Sequence, residues 1–370
     1  MPTDGPLTQD PAGNRSPALL AFLPGVVRWP LTILFWLLGI LVTGWCALAL
    51  WYAPTDSAPL RAALAGALVL LVAALAILPR RRRVRLAGPP IAWAAVILWF
   101  WFAPAPADWA WQPDVRVTPA MTVAGDVLTV TGVRNFDWRS DTDFTERWET
   151  RTYDLRALRT VDLFASYWGP KDICHNFVSF GFERTPSVPG EPPMDYLCLS
   201  IETRKAVGQE YSAVGGMFRQ YPLVIVAADE RDLVGVRARV RGEHVFRYQV
   251  QSPPAGVRAV FDRYMQFTND LALHPRWYNA VTESCGVGIL RIVRGSLIPF
   301  IPSMDQLLNG RWDRDAYREG RLGAPGESFE QVRARSEITE EARKAPMTPW
   351  FSPAIRVQEV PLRLRRPLEE

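Results

Sequence analysis

The chain has 370 residues, and its chemistry rests on four cysteines, three histidines and the carboxylates and hydroxyls that can serve them. His175, His244 and His274 are dispersed, with no ligand-like spacing. No H-E-x-x-H, paired C-x-x-C, G-x-x-x-x-G-K-[ST] or G-x-G-x-x-G occurs, so neither a metal site nor a nucleotide cofactor is expected. Asp141-x-Asp143 has the composition to hold a divalent ion, but such pairs in polar loops are ordinarily solvated turns. Thiol chemistry is what remains. Cys285 follows Thr282 and Ser284, both acceptable N-caps, and opens the run CGVGILRIV (285–293), which reads as a helix. A helix N-terminus stabilises a thiolate through its dipole and free N–H groups. The same N–H groups, near Ser284 and Cys285, can hold an oxyanion.

Such a thiolate needs a base. His175, at the start of the alternating run HNFVSFGFE (175–183), is the candidate. An imidazole in reach keeps the thiol deprotonated and later protonates a leaving group. The end of the next run, YLCLSIET (196–203), should come beside it and bring Ser200 or Glu202 within reach. Glu202 is the more useful, because a carboxylate favours the imidazolium. Against this stands the plain reading of a buried core thiol and an unrelated histidine. Cys174 adjoins His175, but strand neighbours point to opposite faces, which makes it a poor partner for that ring. Cys174 and Cys198 lie on the two arms of one hairpin and can form a disulfide in an oxidising compartment, if their register allows. Cys285 would then be the odd thiol. Cys46 lies in an apolar run and reads as a small apolar residue.

The elements that must position these groups follow from periodicity. Short strands are expected at Val115–Val117, Asp126–Val133, Trp148–Leu155, Thr160–Trp168, His175–Glu183, Tyr196–Thr203, Leu223–Ala227 and Gly242–Gln251. Pro254–Leu273 has the 3.6-residue period of a helix, with Val257, Val260, Phe261, Tyr264, Met265 and Leu271 on one side. Residues 207–218 are helix or loop, and short helical pieces are expected at 304–320 and 329–344. The class is α+β, an antiparallel sheet with flanking helices.

Three uncharged runs precede that domain: Leu31–Tyr52, Ala62–Leu78 and Leu86–Ala107. At about 1.5 Å per residue each is long enough, or nearly so, to cross a hydrocarbon core about 30 Å thick. The third ends in Trp99-Phe100-Trp101-Phe102, which suits the headgroup level. Arg80–Arg83 and Arg85 lie between the second and third runs, while Arg15 and Arg28 precede the first. Lys/Arg-rich loops stay in the cytoplasm, which puts the N-terminus inside and everything after the third run outside. A bacterial multi-pass inner-membrane protein with a periplasmic domain is the expectation. Residues 1–107 hold eight basic and three acidic side chains, leaving 34 and 35 for the rest, so the net charge of +4 belongs to the anchor. No basic face for nucleic acid is implied. The organisation reads as a tail (1–29), an anchor (30–107), a linker with short strands (108–134), a Cys/His domain (135–300) and an extension packing on it (301–370).

The segments NFDWRSDTDFTERWETRTYDL (135–155), VDLFASYWG (161–169), HNFVSFGFE (175–183), LSIETRK (199–205), EYSAVGGMFRQYPLVIVAADERD (210–232) and WYNAVTESCGVGI (277–289) resemble the Lnb N-terminal periplasmic domain family. The resemblance covers roughly 120–350, and the three-span anchor ahead of it also resembles members of that family. It implies a permuted papain-like cysteine fold, with the histidine (His175) on an early strand and the cysteine (Cys285) on a later helix. Lecithin:retinol-acyltransferase-like enzymes share that arrangement and pass acyl groups through a cysteine thioester. The family's namesake is an N-acyltransferase maturing bacterial lipoproteins. One departure stands out: Thr282-Glu283-Ser284-Cys285-Gly286 replaces an expected T-x-N-C-T pattern. Three functions follow: an acyltransferase from phospholipid to an amine such as a lipoprotein N-terminus, an envelope cysteine peptidase or amidase, or a non-enzymatic scaffold.

Overall fold

The computed structural model describes residues 25–55, 57–186, 191–295 and 309–356, which fall into two compact units. The first holds three helices, α1 (Gly25–Trp51), α2 (Ala58–Ile77) and α3 (Arg82–Phe102). Trp29–Trp51, Ala58–Ile77 and Arg82–Phe102 are each long and apolar enough to cross a membrane. Helix α3 starts earlier than its uncharged run, because arginine is a good helix former and Arg82, Arg83 and Arg85 extend the first turn. It also ends earlier, at Phe102, where the Pro-rich stretch 104–106 cannot continue it. Cys46 is fully buried beside Leu68, Val72 and Trp93, which agrees with its apolar reading.

The second unit is built on one sheet of eight strands. In chain order they are β1 (Ala120–Ala124), β2 (Val127–Arg134), β5 (Trp148–Asp154), β6 (Leu158–Tyr167), β7 (His175–Glu183), β8 (Met194–Thr203), β9 (Leu223–Ala228) and β10 (His244–Gln249); a separate small hairpin pairs β3 (Asp137–Trp138) with β4 (Phe144–Thr145). The sheet order is β1-β2-β9-β8-β7-β6-β10, with β5 also on β2. All pairs are antiparallel except β2 with β9. Residues 120–134 thus belong to the sheet itself.

Residues 115–117 are not a strand. Pro113–Val115 forms a 3-10 turn, since Pro113 fixes φ and has no N–H for a ladder, and the first strand is Ala120–Ala124. The 207–218 stretch contains only a five-residue helix, α4 (Ala213–Met217). Residues 304–308 lie outside the described residues; Trp312–Arg318 is the helix that follows. The short helical pieces expected within 329–344 are Phe329–Ser336 and Thr339–Lys344, separated where Ile338 breaks away to bond its N–H to the Val245 carbonyl of β10.

Alternation along the central strands sends side chains into two cores. Val178, Phe180, Leu199 and Ile201 face one core, covered by α6 (Pro254–Leu273) and α7 (Cys285–Arg294). Phe177, Cys198, Val224 and Val226 face the other, covered by α5 (Glu230–Gly235) and the helices Thr339–Lys344 and Phe351–Ala354. This explains why β9 reads LVIVAA, with every residue buried. In α6, Val257, Phe261, Tyr264, Thr268 and Leu271 are the buried stripe, and Val260 and Met265 pack beside it.

The β7–β8 register also removes the disulfide. Cys198 lies opposite Ser179, whereas Cys174 precedes the first residue of β7, so the two thiols sit at different levels of the hairpin. All four cysteines are free and buried. The same register sets the position of the candidate site. His175, Thr203 and Leu223 mark one end of the sheet; Glu183, Met194 and Ala228 mark the other.

Candidate active site

Phe177 pairs with Ser200 across β7 and β8, so two further residues of antiparallel register bring His175 opposite Glu202. Ser200 and Glu202 alternate onto the same face as His175. The histidine Nε2 lies 2.7 Å from Ser200 Oγ and 3.0 Å from Glu202 Oε1. Ser200 Oγ donates to the same carboxylate oxygen at 2.8 Å. Since neither the carboxylate nor the committed hydroxyl can donate to the ring, Nε2 must carry the proton in this arrangement. Nδ1 is then the nitrogen left to serve the thiol, and ring and thiol lie close enough to shift each other's protonation.

Cys285 arrives from the opposite core. Helix α7 packs under β7 and β8, and its N-terminus projects past the sheet end where His175 stands. Ser284 is the N-cap: its hydroxyl accepts the Val287 N–H at 3.3 Å, and it is buried. Its side chain therefore starts the helix and does not reach the chemistry. Cys285 occupies the first helical position, where the main-chain N–H has no intrahelical acceptor. The nearby Asn176 main-chain N–H also favours the thiolate.

These contacts move three protonation equilibria together. Burial pulls the His175 ring down, but the Glu202 carboxylate and the Cys285 sulfur outweigh it and hold the ring up at about 9. Burial raises the Cys285 thiol, and the His175 imidazolium overrides that and lowers it below the ordinary thiol value. Glu202 is held well below the usual carboxylate range: His175 and Arg237 overcome its burial. The arrangement favours thiolate, imidazolium and carboxylate in a row. Cys174, by contrast, is pushed up by burial and points at the Asn309 carbonyl, 3.1 Å away.

Three groups at the site carried no sequence signal. Arg237 donates to Glu202 Oε1 at 2.9 Å and to the Leu233 carbonyl at 2.9 Å, while its guanidinium lies 5.0 Å from the Phe177 ring centre. It belongs to a π-helical turn, Val236–Val240, that continues α5; such turns re-aim a side chain by one residue and are frequent at functional sites. The sequence VRARV there looks like an alternating strand and gives no hint of this. Asn309 donates from Nδ2 to Cys285 Sγ at 3.4 Å. Its main-chain oxygen accepts from Cys174 and from Asn176 Nδ2 at 3.0 Å, which fixes the residue beside the thiol. In the sequence Asn309 lies within 304–320, where only short helical pieces are expected. For Tyr278, burial together with the Cys285 sulfur keeps the side chain a neutral phenol.

Packing explains one part of the departure from the T-x-N-C-T pattern, the glycine at 286. A Cβ at this position would overlap the Asn309 amide oxygen and come within 3.0 Å of Trp312 Nε1. The glycine makes the room that lets Asn309 reach Cys285.

The site opens into a cavity of about 350 Å³ lined by Cys285, His175, Glu202, Asn309 and Tyr278, with Arg134, Lys205, Arg241 and Glu243 on its walls. Neither Asp141 nor Asp143 lines it; each is paired with an arginine (Asp141 with Arg241 on the cavity wall, Asp143 with Arg139), and no group of three metal-ligating side chains occurs among the described residues. The arrangement can form a covalent adduct on sulfur, hold a tetrahedral oxyanion and shuttle a proton through His175.

Compared with known proteins, residues 144–308 match the family model described as the Lnb N-terminal periplasmic domain. That span contains His175, Ser200, Glu202, Ser284 and Cys285; Asn309 lies one residue past it. No curated protein and no solved structure matches the chain significantly.

Proposed function

We propose, with the match of residues 144–308 to a periplasmic domain family and the three span-length helices as premise, that this protein is a membrane-anchored thiol acyltransferase of the bacterial envelope. The carrying observation is the row Cys285–His175–Glu202, set on three separate elements and completed by a helix N-terminus. In the first half-reaction the Cys285 thiolate attacks the carbonyl of a phospholipid ester. The Cys285 main-chain N–H and Asn309 Nδ2 face the oxyanion, and the His175 imidazolium gives its Nδ1 proton to the departing alkoxide as the C–O bond breaks. A thioester remains on Cys285. In the second, an amine such as a lipoprotein N-terminus attacks it, His175 accepts the amine proton, and the C–S bond breaks to release the amide and the thiolate. Glu202 and Ser200 orient the ring, and Arg237 anchors Glu202. The order His175 before Cys285, strand before helix, supports a permuted papain-like arrangement. The Arg80–Arg83 loop supports an inner-membrane protein with a cytoplasmic N-terminus and a periplasmic domain.

The test is thioester trapping with a radiolabelled-acyl phospholipid in membranes carrying the full chain. Label should appear on Cys285, be released by neutral hydroxylamine, and vanish together with amide formation in Cys285→Ala. Full transfer by Cys285→Ala would end the proposal. The charged walls of the cavity favour one second reading, a peptidase or amidase using water as acceptor. Release of free acid from a polar peptide with no amide product would select it.

A further inference from the structure

We propose that the loop Val207–Met217 inserts into the headgroup layer of the membrane that holds the spans, making the active-site end of the domain a lipid-binding surface. This rests on the anchor and is independent of the thiol chemistry. Twelve large apolar side chains are exposed among the described residues from 103 onward, and four of them fall in this one loop. Val207, Tyr211, Val214 and Met217 are 66%, 51%, 47% and 45% exposed. Val281 joins them, because the neighbouring Ala280 N–H bonds the Gly216 carbonyl and Asn279 Nδ2 bonds the Met217 carbonyl. An apolar cluster of this size marks a surface with a partner, whereas the other exposed apolar residues from 103 onward lie singly or in twos, such as Val123 with Val127.

The chain itself identifies the partner. The loop is tied to the segment that leaves the third span: Val207 donates to the Ala110 carbonyl at 2.7 Å, Gln112 Nε2 to the Gln209 carbonyl at 2.7 Å, and Trp111 bridges to Ala206. On its other flank, Trp277 Nε1 donates at 2.8 Å to the carbonyl of Ala103, one residue after the last residue of α3. Eight residues from Phe102 to Ala110 reach at most about 28 Å when fully extended, so a bilayer surface is always within reach of this patch. Trp109 and Trp111 lie 5.6 Å apart, and Arg204 sits 4.4 Å over the Trp111 ring. Amphipathic rings with cations beside them suit the headgroup level. Tyr211 and Lys205 also line the active-site cavity, so the same contact turns the cavity mouth toward lipid.

The experiment uses the full chain in vesicles of equimolar phosphatidylcholine and phosphatidylglycerol, in a Cys285→Ser background. An environment-sensitive fluorophore is attached at Val214→Cys or, as control, at Glu183→Cys at the far end of β7. The Val214 probe should emit to the blue of the Glu183 probe and lose intensity to spin labels carried on shallow acyl positions. Equal, water-like emission from the two would overturn the proposal. So would a blue shift without lipid-borne quenching, which would mean protein covers the loop.

Discussion

Burial by itself would leave His175 neutral at the pH of a cell envelope, and an uncharged ring could not hold a thiolate. Glu202 reverses this from the far side of the ring. With the ring held up at about 9 and the Cys285 thiol lowered, the ion pair persists from the thiol's depressed value up to about 9. Acyl transfer should therefore fall as pH rises through about 9, where the imidazolium loses the proton that a leaving group needs. In Glu202→Gln the anion that raises His175 is gone, so the alkaline limb should move to lower pH and the thiolate fraction at neutral pH should drop. Initial rates and the pH dependence of Cys285 alkylation by iodoacetamide read both effects. An unmoved alkaline limb would show that Glu202 does not act on the ring. Arg237 joins His175 in keeping Glu202 ionised while buried. Its loss would leave a carboxylate facing one cation instead of two.

Helix α7 carries a second constraint, between its first turn and Asn309. In an ordinary helix Gly→Ala gains about 1 kcal/mol of helix propensity. At Gly286 the added methyl must displace the Asn309 amide or the Trp312 indole. Losing one oxyanion donor costs about 10²–10³ in kcat, so Gly286→Ala should slow acyl transfer on that scale while Cys285 alkylation stays within a few-fold. Full transfer by Gly286→Ala would remove Asn309 from the oxyanion site.

Elements with a clean period were readable from the chain: β7 and α6 have the boundaries their patterns indicate, and α7 differs by one residue. With β7 and β8 placed, His175, Ser200 and Glu202 followed from antiparallel register alone. Arg237 did not, because a π-helical turn has no sequence period. Asn309 did not, because its role depends on a void at Gly286 that only packing reveals. The disulfide expectation failed at the same level. Two cysteines on one hairpin can pair only if register aligns them, and Cys198 faces Ser179.

At the scale of the whole molecule, three helices are long and apolar enough to cross a membrane, and if each crosses once the charge of the flanking segments decides the orientation. The connection from α2 through the first turn of α3 holds Arg80–Arg83 and Arg85, five cations with no anion, whereas residues 52–61, from α1 through the first turn of α2, hold one acidic and one basic side chain, Asp56 and Arg61. Juxtamembrane arginines in short loops are retained on the cytoplasmic side. The domain should then be digested by protease added to spheroplasts and be protected in inverted membrane vesicles. The opposite pattern would overturn the topology. Replacing Arg80–Arg83 and Arg85 by glutamine should lower the fraction of chains in this orientation, visible as protease-resistant domain in spheroplasts. The orientation also bears on the thiols. An extracytoplasmic Cys285 works without a reducing cytosol around it, so its only cysteine neighbour in the cavity matters. Cys174 is buried, raised in pKa and hydrogen-bonded to the Asn309 carbonyl, which leaves the activated thiolate without a competing nucleophile beside it.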